Sequence, residues 1–299
     1  MSLNALYDVP APAKLNLFLH IIGRRADGYH LLQSPFVLID WRDTLHFELR
    51  SDGTLQRHDL GPALPEDDLC LRAARALQLA SGTQRGADIH IDKLVPWGAG
   101  MGGGSSDAAS TLLALNRLWG LNWSRERLAR LALPLGADVP FFVNGQNAFV
   151  EGIGEIQRPL RCTTAQYAVL KPAANLPTRE IFEHPLLVRN TKPVIVAGSL
   201  EEAADSPDSG LPQDWQHGFG RNDLQIPAED RCPEVAQAAQ WLQARFGNSR
   251  MTGSGSAVFA RVGMSDQPSA TFPAEAIPTG WAGRICQSLT EHPLRDWVN

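Results

Sequence analysis

The sequence predicts an α+β fold. Alternating apolar and polar residues crowd the first 50 positions, helical runs follow them, and no strict strand–helix–strand beat of the kind that builds a doubly wound sheet sets in. At 299 residues, 43% of them hydrophobic and 20% charged, the chain has the length for two ordinary domains and the composition of a folded globular protein.

In Lys14–Ile22, Leu15, Leu17, Leu19 and Ile21 alternate with Lys14, Asn16, Phe18 and His20. That period predicts one strand with a single buried face, Lys14 and Asn16 sharing the other. Leu45, Phe47 and Leu49 mark a second strand, and Arg24–Tyr29 is a turn punctuated by Asp27-Gly28. Asp67 is placed to cap a helix through Leu69, Ala73, Ala76, Leu77 and Ala80, which Gly82 ends. Asp88–Val95 alternates again. Ala108, Leu112, Leu115 and Leu118 then share one helical face, and Ser124 caps a short helix that stops before Pro134. A boundary near Gly152–Pro159 divides the chain into 1–157 and 158–299. Beyond it, Gln166–Leu170, Val194–Ala197 and Ala257–Val262 read as strands, and Val235, Ala238, Leu242 and Phe246 mark a helix closed by Gly247. Gly198–Asp214 and Gly263–Gly280, rich in Ser, Pro, Asp and Gly, read as long loops.

No run approaches the roughly 18 apolar residues of a membrane span. The first residues lack the basic and apolar regions of a signal peptide, so a cytoplasmic protein without a membrane partner is expected. Cys70, Cys162, Cys232 and Cys286 lie far apart, which favours buried reduced thiols over a metal or redox cluster. A net charge of −5 argues against nucleic acid as a partner. Local convergence of positive groups for an anionic ligand stays open, with Lys14, Arg24, Arg25, His30 and Lys93 as candidates.

The strongest chemical signal is Pro96-Trp97-Gly98-Ala99-Gly100-Met101-Gly102-Gly103-Gly104-Ser105-Ser106, between a strand and a helix. Five glycines in seven residues remove the Cβ atoms that would keep a ligand off the backbone. Successive N–H groups can then turn toward phosphate oxygens, and the following helix adds its free amides and positive end. Ser105 and Ser106 supply hydroxyls at the helix mouth, and Asp107 suits its first turn. A dinucleotide fingerprint is formally present as Gly98, Gly100 and Gly103, but two helices follow where that fold needs a second strand ending in an acidic residue. The Walker pattern is absent, because no lysine follows these glycines.

This loop resembles the P-x-x-x-G-[LM]-G motif of the GHMP kinases, the superfamily of galactokinase, homoserine kinase and mevalonate kinase. Three other segments resemble the family in the same order along the chain: Pro12–His20 with Gly23–His30, Leu135–Phe142, and Met251–Ser256. The resemblance implies an N-terminal ribosomal-protein-S5-like domain and a C-terminal ferredoxin-like α/β sandwich, with the active site in the cleft between them. The run of three glycines followed by Ser-Ser-Asp-Ala-Ala is similar to the branch that uses ATP to phosphorylate the 2-hydroxyl of 4-(cytidine 5′-diphospho)-2-C-methyl-D-erythritol, in the non-mevalonate route to isoprenoid precursors. A small-molecule kinase working with ATP and Mg²⁺, as a monomer or homodimer, is the expectation.

The resemblance casts Asp138 as the group that orients the attacking hydroxyl and accepts its proton, although alone it reads more readily as a solvated or turn-forming aspartate. An aspartate is a weak base, so positioning counts for more than proton abstraction in a loose phosphoryl transfer. Lys14, otherwise an edge-strand lysine, becomes its catalytic partner, and Asn16 a hydrogen-bonding residue for substrate. Tyr29 and His30 are assigned to a cytidine pocket, one to stack and one to bond the base edge, with Thr178 and with Phe182 as the second stacking face. Lys93 falls near the adenine or ribose, or else is a solvated strand lysine. Asp68 stands where the family commonly has Asn, which puts a side-chain contact to adenine from there in doubt, and no metal ligand can be assigned. Two rivals stay open: a GHMP kinase for homoserine or mevalonate, and a nucleotide-binding module without chemistry. The Arg24–His30 segment speaks against the first, and Lys14 with Asp138 against the second.

Overall fold

The computed structural model describes residues 3–194, 215, 218–264 and 277–299. Seven strands form the first sheet: β1 (Ala5–Asn16), β2 (His20–Arg24), β3 (His30–Arg50), β4 (Leu55–Asp59), β5 (Gly86–Asp92), β6 (Ala148–Gly152) and β7 (Ile156–Pro159). The long β3 is its axis, pairing antiparallel with β1, β2, β5 and β6; only β4 on β5 is parallel. Helices α1 (Leu69–Ser81), α2 (Gly103–Leu118), α3 (Arg125–Ala132) and α4 (Val139–Asn144) cover one face. Leu77, Leu112, Leu115 and Phe141 close there on Val9, Leu45 and Phe47. An antiparallel sheet of order β11–β8–β10–β9 follows, from β8 (Ala165–Lys171), β9 (Arg250–Met251), β10 (Val258–Met264) and β11 (Ala282–Gln287). The short α5 (Thr178–Glu183), α6 (Gln225–Arg231) and α7 (Pro233–Phe246) complete the described helices. Val235 and Leu242 of α7 pack on Ala168, Leu170, Val258 and Ala260. Two sheets with segregated helices make the α+β class expected from the sequence.

A third cluster fixes where a site can form. Leu15, Val37, Ile39 and Phe149 of the first sheet meet Tyr167, Val169 and Phe259 of the second, and Val95, Ala99 and Met101 belong to the same cluster. The glycine loop is therefore rooted in the core that joins the sheets.

The predicted strand over Lys14–Ile22 is two strands, and both of its faces are buried: Lys14, Asn16, Phe18 and His20 are as enclosed as the leucines. The ladder stops after Asn16 pairs with Phe36. The next β3 residue is Pro35, which has no N–H to give and serves only as acceptor for Leu17 N at 3.0 Å. Leu19 then turns to Arg221 O instead, at 3.0 Å. Helix α1 is capped by Asp68, whose Oδ1 accepts from Leu71 N at 3.0 Å, not by Asp67, which pairs with Arg75. Val194 is in no strand; its N–H goes to Gln33 Oε1 at 2.8 Å. Residues 195–197, the loop 198–214 and most of 263–280 lie outside the described residues, except that Gly263 and Met264 end β10. No described helix is long and apolar enough to cross a membrane.

The last dozen residues return to the first sheet's helices. Leu294 joins that core, and Arg125 grips the segment by donating to Val298 O (2.7 Å) and Arg295 O while also holding Val143 O at the end of α4 (2.5 Å). Arg125→Met keeps the apolar stem and strands those carbonyls. We expect a loss of about 1–3 kcal/mol in equilibrium urea unfolding; an unchanged midpoint would refute this clamp.

Candidate active site

Three residues of the glycine loop, Gly98, Gly100 and Gly102, have positive φ of 59°, 70° and 71°. Two of these are forced. Gly102 caps α2 in the left-handed region with ψ 18°. At Gly100 a Cβ would sit 2.3 Å from Thr252 O, because the segment Thr252–Ser256 lies directly on this loop. The contact is backbone on backbone: Ser256 N donates to Gly98 O at 2.9 Å and Ala257 N to Ala99 O at 3.2 Å. Asn222 props the second segment from below, giving its amide to Met251 O and Gly253 O, both at 2.8 Å.

A cavity of about 410 Å³ opens between this loop and Leu64–Cys70, lined by Lys93, Pro96–Ser105 and Asp107. The first intrahelical bond of α2 is Ser106 N to Gly102 O, so the amides of Gly103, Gly104 and Ser105 have no helical partner and are available to an anion. Ser106 does not join the lining. Its side chain is fully buried and its Oγ lacks a described partner, so of the two serines expected at the helix mouth only Ser105 faces the cavity.

Lys14 and Asp138 meet. The Lys14 main-chain N–H holds Met101 O at 2.9 Å, and its Nζ stands 3.6 Å from Asp138 Oδ2 and 2.5 Å from Asn16 Oδ1. The ammonium also lies 4.5 Å over the Phe36 ring. Asp138 occupies the N-cap position of α4 without capping it, which leaves its carboxylate free and about 31% exposed. Burial pulls the Lys14 pKa below that of an ordinary lysine, and the Asp138 carboxylate offsets only part of the pull. Asn16 is fully engaged within the protein: its amide reaches Ser34 Oγ at 2.8 Å and its N–H reaches Thr252 Oγ1 at 2.9 Å.

Lys93 is not a solvated strand lysine. It follows the end of β5 and is nearly enclosed, with Nζ bound to Asp43 and to Asp107 Oδ2 (2.5 Å). Burial works against its charge, but the two carboxylates win and hold it above the ordinary lysine range. Both oxygens of Asp68 have partners, Oδ1 in the cap and Oδ2 at Arg57 Nη1 (3.1 Å), so this aspartate is held by the protein itself.

At the far end, His30 opens β3 and faces Phe182 with ring centroids 5.3 Å apart at 34°. Arg189 Nε donates to His30 Nε2 at 3.1 Å, which sets the neutral tautomer with its proton on Nδ1. Burial, with Arg189 and Arg24 nearby, lowers the imidazole pKa and keeps it neutral. The ring against Phe182 is thus His30, whereas Tyr29 is 60% exposed. Thr178 bonds Ser254 Oγ at 2.8 Å, tying α5 to the second glycine segment.

Sequence reasoning missed Asp43, Ser34, Arg189 and Asn222. None sits in a motif or a periodic run, and Asp43, ahead of an alternating stretch, looks like turn punctuation. Burial distinguishes Asp43, Ser34 and Asn222, and Arg189 is marked by its bond to His30.

Residues 68–146 match the family described as GHMP kinases N terminal domain, and residues 200–277 match GHMP kinases C terminal. The 4-diphosphocytidyl-2-C-methyl-D-erythritol kinase of Methylibium petroleiphilum is 62% identical over 299 residues, covering 100% of both chains. That of Paracidovorax citrulli is 52% identical, covering 99% of each. A solved 4-(cytidine 5′-diphospho)-2C-methyl-D-erythritol kinase, 34% identical, superposes with a TM-score of 0.75 over 93% of this chain and 98% of its own. A homoserine kinase from Cytophaga hutchinsonii, 17% identical with a TM-score of 0.61 over 97% of this chain and 95% of its own, shares the fold alone. With identity this high over the full length of its relatives, the chain belongs to the 4-diphosphocytidyl-2-C-methyl-D-erythritol kinase family of the GHMP kinases.

Proposed function

We propose that the chain transfers the γ-phosphoryl group of ATP to the 2-hydroxyl of 4-(cytidine 5′-diphospho)-2-C-methyl-D-erythritol. The observation that carries this is Lys14, whose main chain holds the glycine loop at Met101 while its ammonium faces the Asp138 carboxylate. A phosphate cradle and an acceptor-orienting carboxylate thereby share one cation. In this reading residues 1–157 carry the cradle and Asp138, and residues 158–299 carry the Thr252–Ser256 buttress and the Phe182 wall of the base pocket.

The triphosphate lies along the glycine loop with its oxygens at the amides of Gly103–Ser105. Asp138 orients the acceptor hydroxyl. As the hydroxyl oxygen bonds Pγ, the bond from Pγ to the bridging oxygen breaks, ADP departs, and the hydroxyl proton passes to Asp138. Lys14 neutralises charge on the transferred group in an enclosed setting where its interaction is strong. Mg²⁺, when bound, would neutralise phosphate charge. Among the described residues no group of three or more His, Cys, Asp or Glu side chains could hold a metal ion. Ser105, which lines the cavity at the first turn of α2, would offer its hydroxyl.

His30 and Phe182 form the base pocket, with the Nδ1–H of His30 as donor to the acceptor edge of cytosine. From His30 to Phe36 beneath Lys14 is six residues of one strand, roughly 20 Å at about 3.3 Å each. An extended nucleoside diphosphate ester suits that span; homoserine does not.

A coupled ADP-release assay on the cytidylyl alcohol, homoserine and mevalonate tests the substrate directly. Only the first should turn over, and selective use of either other alcohol would reject the assignment. Asp138→Asn should lower kcat by at least about 100-fold with little change in either KM, and unchanged turnover would remove Asp138 from the chemistry.

The depressed pKa of Lys14 gives a pH test. Such a lysine sheds its proton below the ordinary value of 10.5, and the transfer needs the ammonium form, so kcat/KM, which reports the free enzyme, should decline with rising pH before that point. A guanidinium stays charged there, so the residual activity of Lys14→Arg should lack this alkaline decline. Superimposable profiles would contradict the role.

Phe182→Ala removes the ring that His30 faces. It should raise KM for the cytidylyl substrate about tenfold, with kcat nearly unchanged, as expected for a lost stacking face. The same loss with an acceptor lacking the base would show that Phe182 does not hold cytosine.

A further inference from the structure

The passage from β5 to α2, which carries most of the glycine loop, has no regular secondary structure. The ladder of β5 ends where Asp92 pairs with Thr44, and the next regular element begins at Gly103. A fully buried carboxylate, Asp43 of β3, stands beneath this passage. Its Oδ1 accepts from Leu94 N and Val95 N, both at 2.7 Å, and its Oδ2 takes the Lys93 ammonium. Trp41, two residues earlier on the same strand, donates Nε1 to Leu94 O at 2.8 Å. Leu94 is thus held at both its N–H and its C=O by β3. Lys93 passes the restraint on to α2 through Asp107 Oδ2 at 2.5 Å, and Val95 packs so closely on Gly103 that a Cβ there would lie 3.0 Å from Val95 Cγ1.

We infer that Asp43 is a positioning residue for the phosphate cradle: it fixes the lead-in Lys93–Val95 and, through Lys93 and Asp107, the first turn of α2, so that the amides of Gly103–Ser105 keep their register against a bound triphosphate. The charges exclude a simpler role. One ammonium shared between Asp43 and Asp107 is no free cation for phosphate, and burial beside Asp43 raises the Asp107 pKa, so the cluster carries no net positive charge with which to attract the ligand. Its contribution is geometric. A buried carboxylate is retained there because it can accept three hydrogen bonds that an apolar residue cannot.

The inference rests on the location of ATP proposed above, and the closing experiment separates the two. For the wild-type chain, the dissociation constants of ATP and ADP are measured by calorimetry and the inhibition constant of adenosine in the ADP-release assay. If adenosine binds as tightly as ATP, the phosphates are not in the glycine loop and the nucleotide placement itself fails. Given the phosphate dependence, Asp43→Asn should weaken ATP and ADP about tenfold, with adenosine and the KM of the cytidylyl alcohol changed less than twofold. Asp43→Ala, which also loses the amide acceptor, should weaken ATP further. Where an Asp43 variant does not fold, as judged by its urea midpoint, the double variant Lys93→Gln with Asp107→Asn cuts the same tie from the other side and should give the same phosphate-selective loss. Unchanged ATP affinity, or an equal loss for adenosine, ATP and the alcohol, overturns the proposal, since a merely structural role would not distinguish phosphate-bearing ligands.

Discussion

The contact on which the site depends has no side chain in it. Gly100 lies against the carbonyl of Thr252, and Gly253 lies against the carbonyl of Gly100, where its own Cβ would stand 2.4 Å away. A methyl group at either position would have to push the two segments apart by about 1 Å to reach ordinary contact. Glycine is needed because two main chains from opposite parts of the molecule approach this closely, and conformational freedom is the lesser reason. Everything else follows from that approach. Thr252, brought to β1, takes the N–H of Asn16; Asn16 takes the ammonium of Lys14; and Lys14 takes Met101 O, which closes a ring of contacts back to the glycine loop.

Around the glycine loop two largely enclosed lysines have opposite roles, and charge accounting explains why. Lys93 sits between two carboxylates and is held charged; nothing remains of its field for a substrate. Lys14 has one carboxylate at 3.6 Å and an amide oxygen, so its charge is only partly balanced and its pKa is depressed. A cation that is enclosed and incompletely paired is poised to accept a further anion. In the proposed reaction the transferred phosphoryl group is such an anion, so one lysine serves shape and the other serves chemistry.

The sequence made legible those parts whose signal is local. The glycine loop, the caps at Ser124 and Gly82, and the strands around Leu45 and Gln166 each declare themselves within a few residues, by backbone permissiveness or period. Parts defined by partners far away were not legible. The alternation in Lys14–Ile22 looked like one half-buried strand because period reports which residues share a face, not whether a second sheet covers the other. Asp67 and Asp68 are equivalent as caps in sequence; the choice was made by Arg57, which holds the second oxygen of Asp68. Ser105 and Ser106 differ only in where they fall on α2. One residue of helical rotation, about 100°, takes the hydroxyl from the cavity into the core. Lys93 was placed near the nucleotide, and it does line the cavity, but its two carboxylate partners lie 50 and 14 residues away and no pattern joins them.

Strand β3 shows why such distant partners recur. His30 begins it in the proposed base pocket, Ser34 receives Asn16, Phe36 lies under the Lys14 ammonium, and Trp41 and Asp43 hold the lead-in to the glycine loop. One continuous 21-residue element therefore touches the proposed base pocket, acceptor site and phosphate cradle. It is paired along its length and most of its central residues are buried, so it cannot flex at one place without breaking ladder bonds at another. The separation between base pocket and transfer point is then a property of strand geometry, set by residue count at about 3.3 Å each, rather than of any loop. A kinase built this way measures its acceptor by length. Small alcohols of the kind that other members of the superfamily phosphorylate would reach Lys14 and Asp138 but would leave the His30–Phe182 pocket empty, and with it the binding energy that holds the hydroxyl in line.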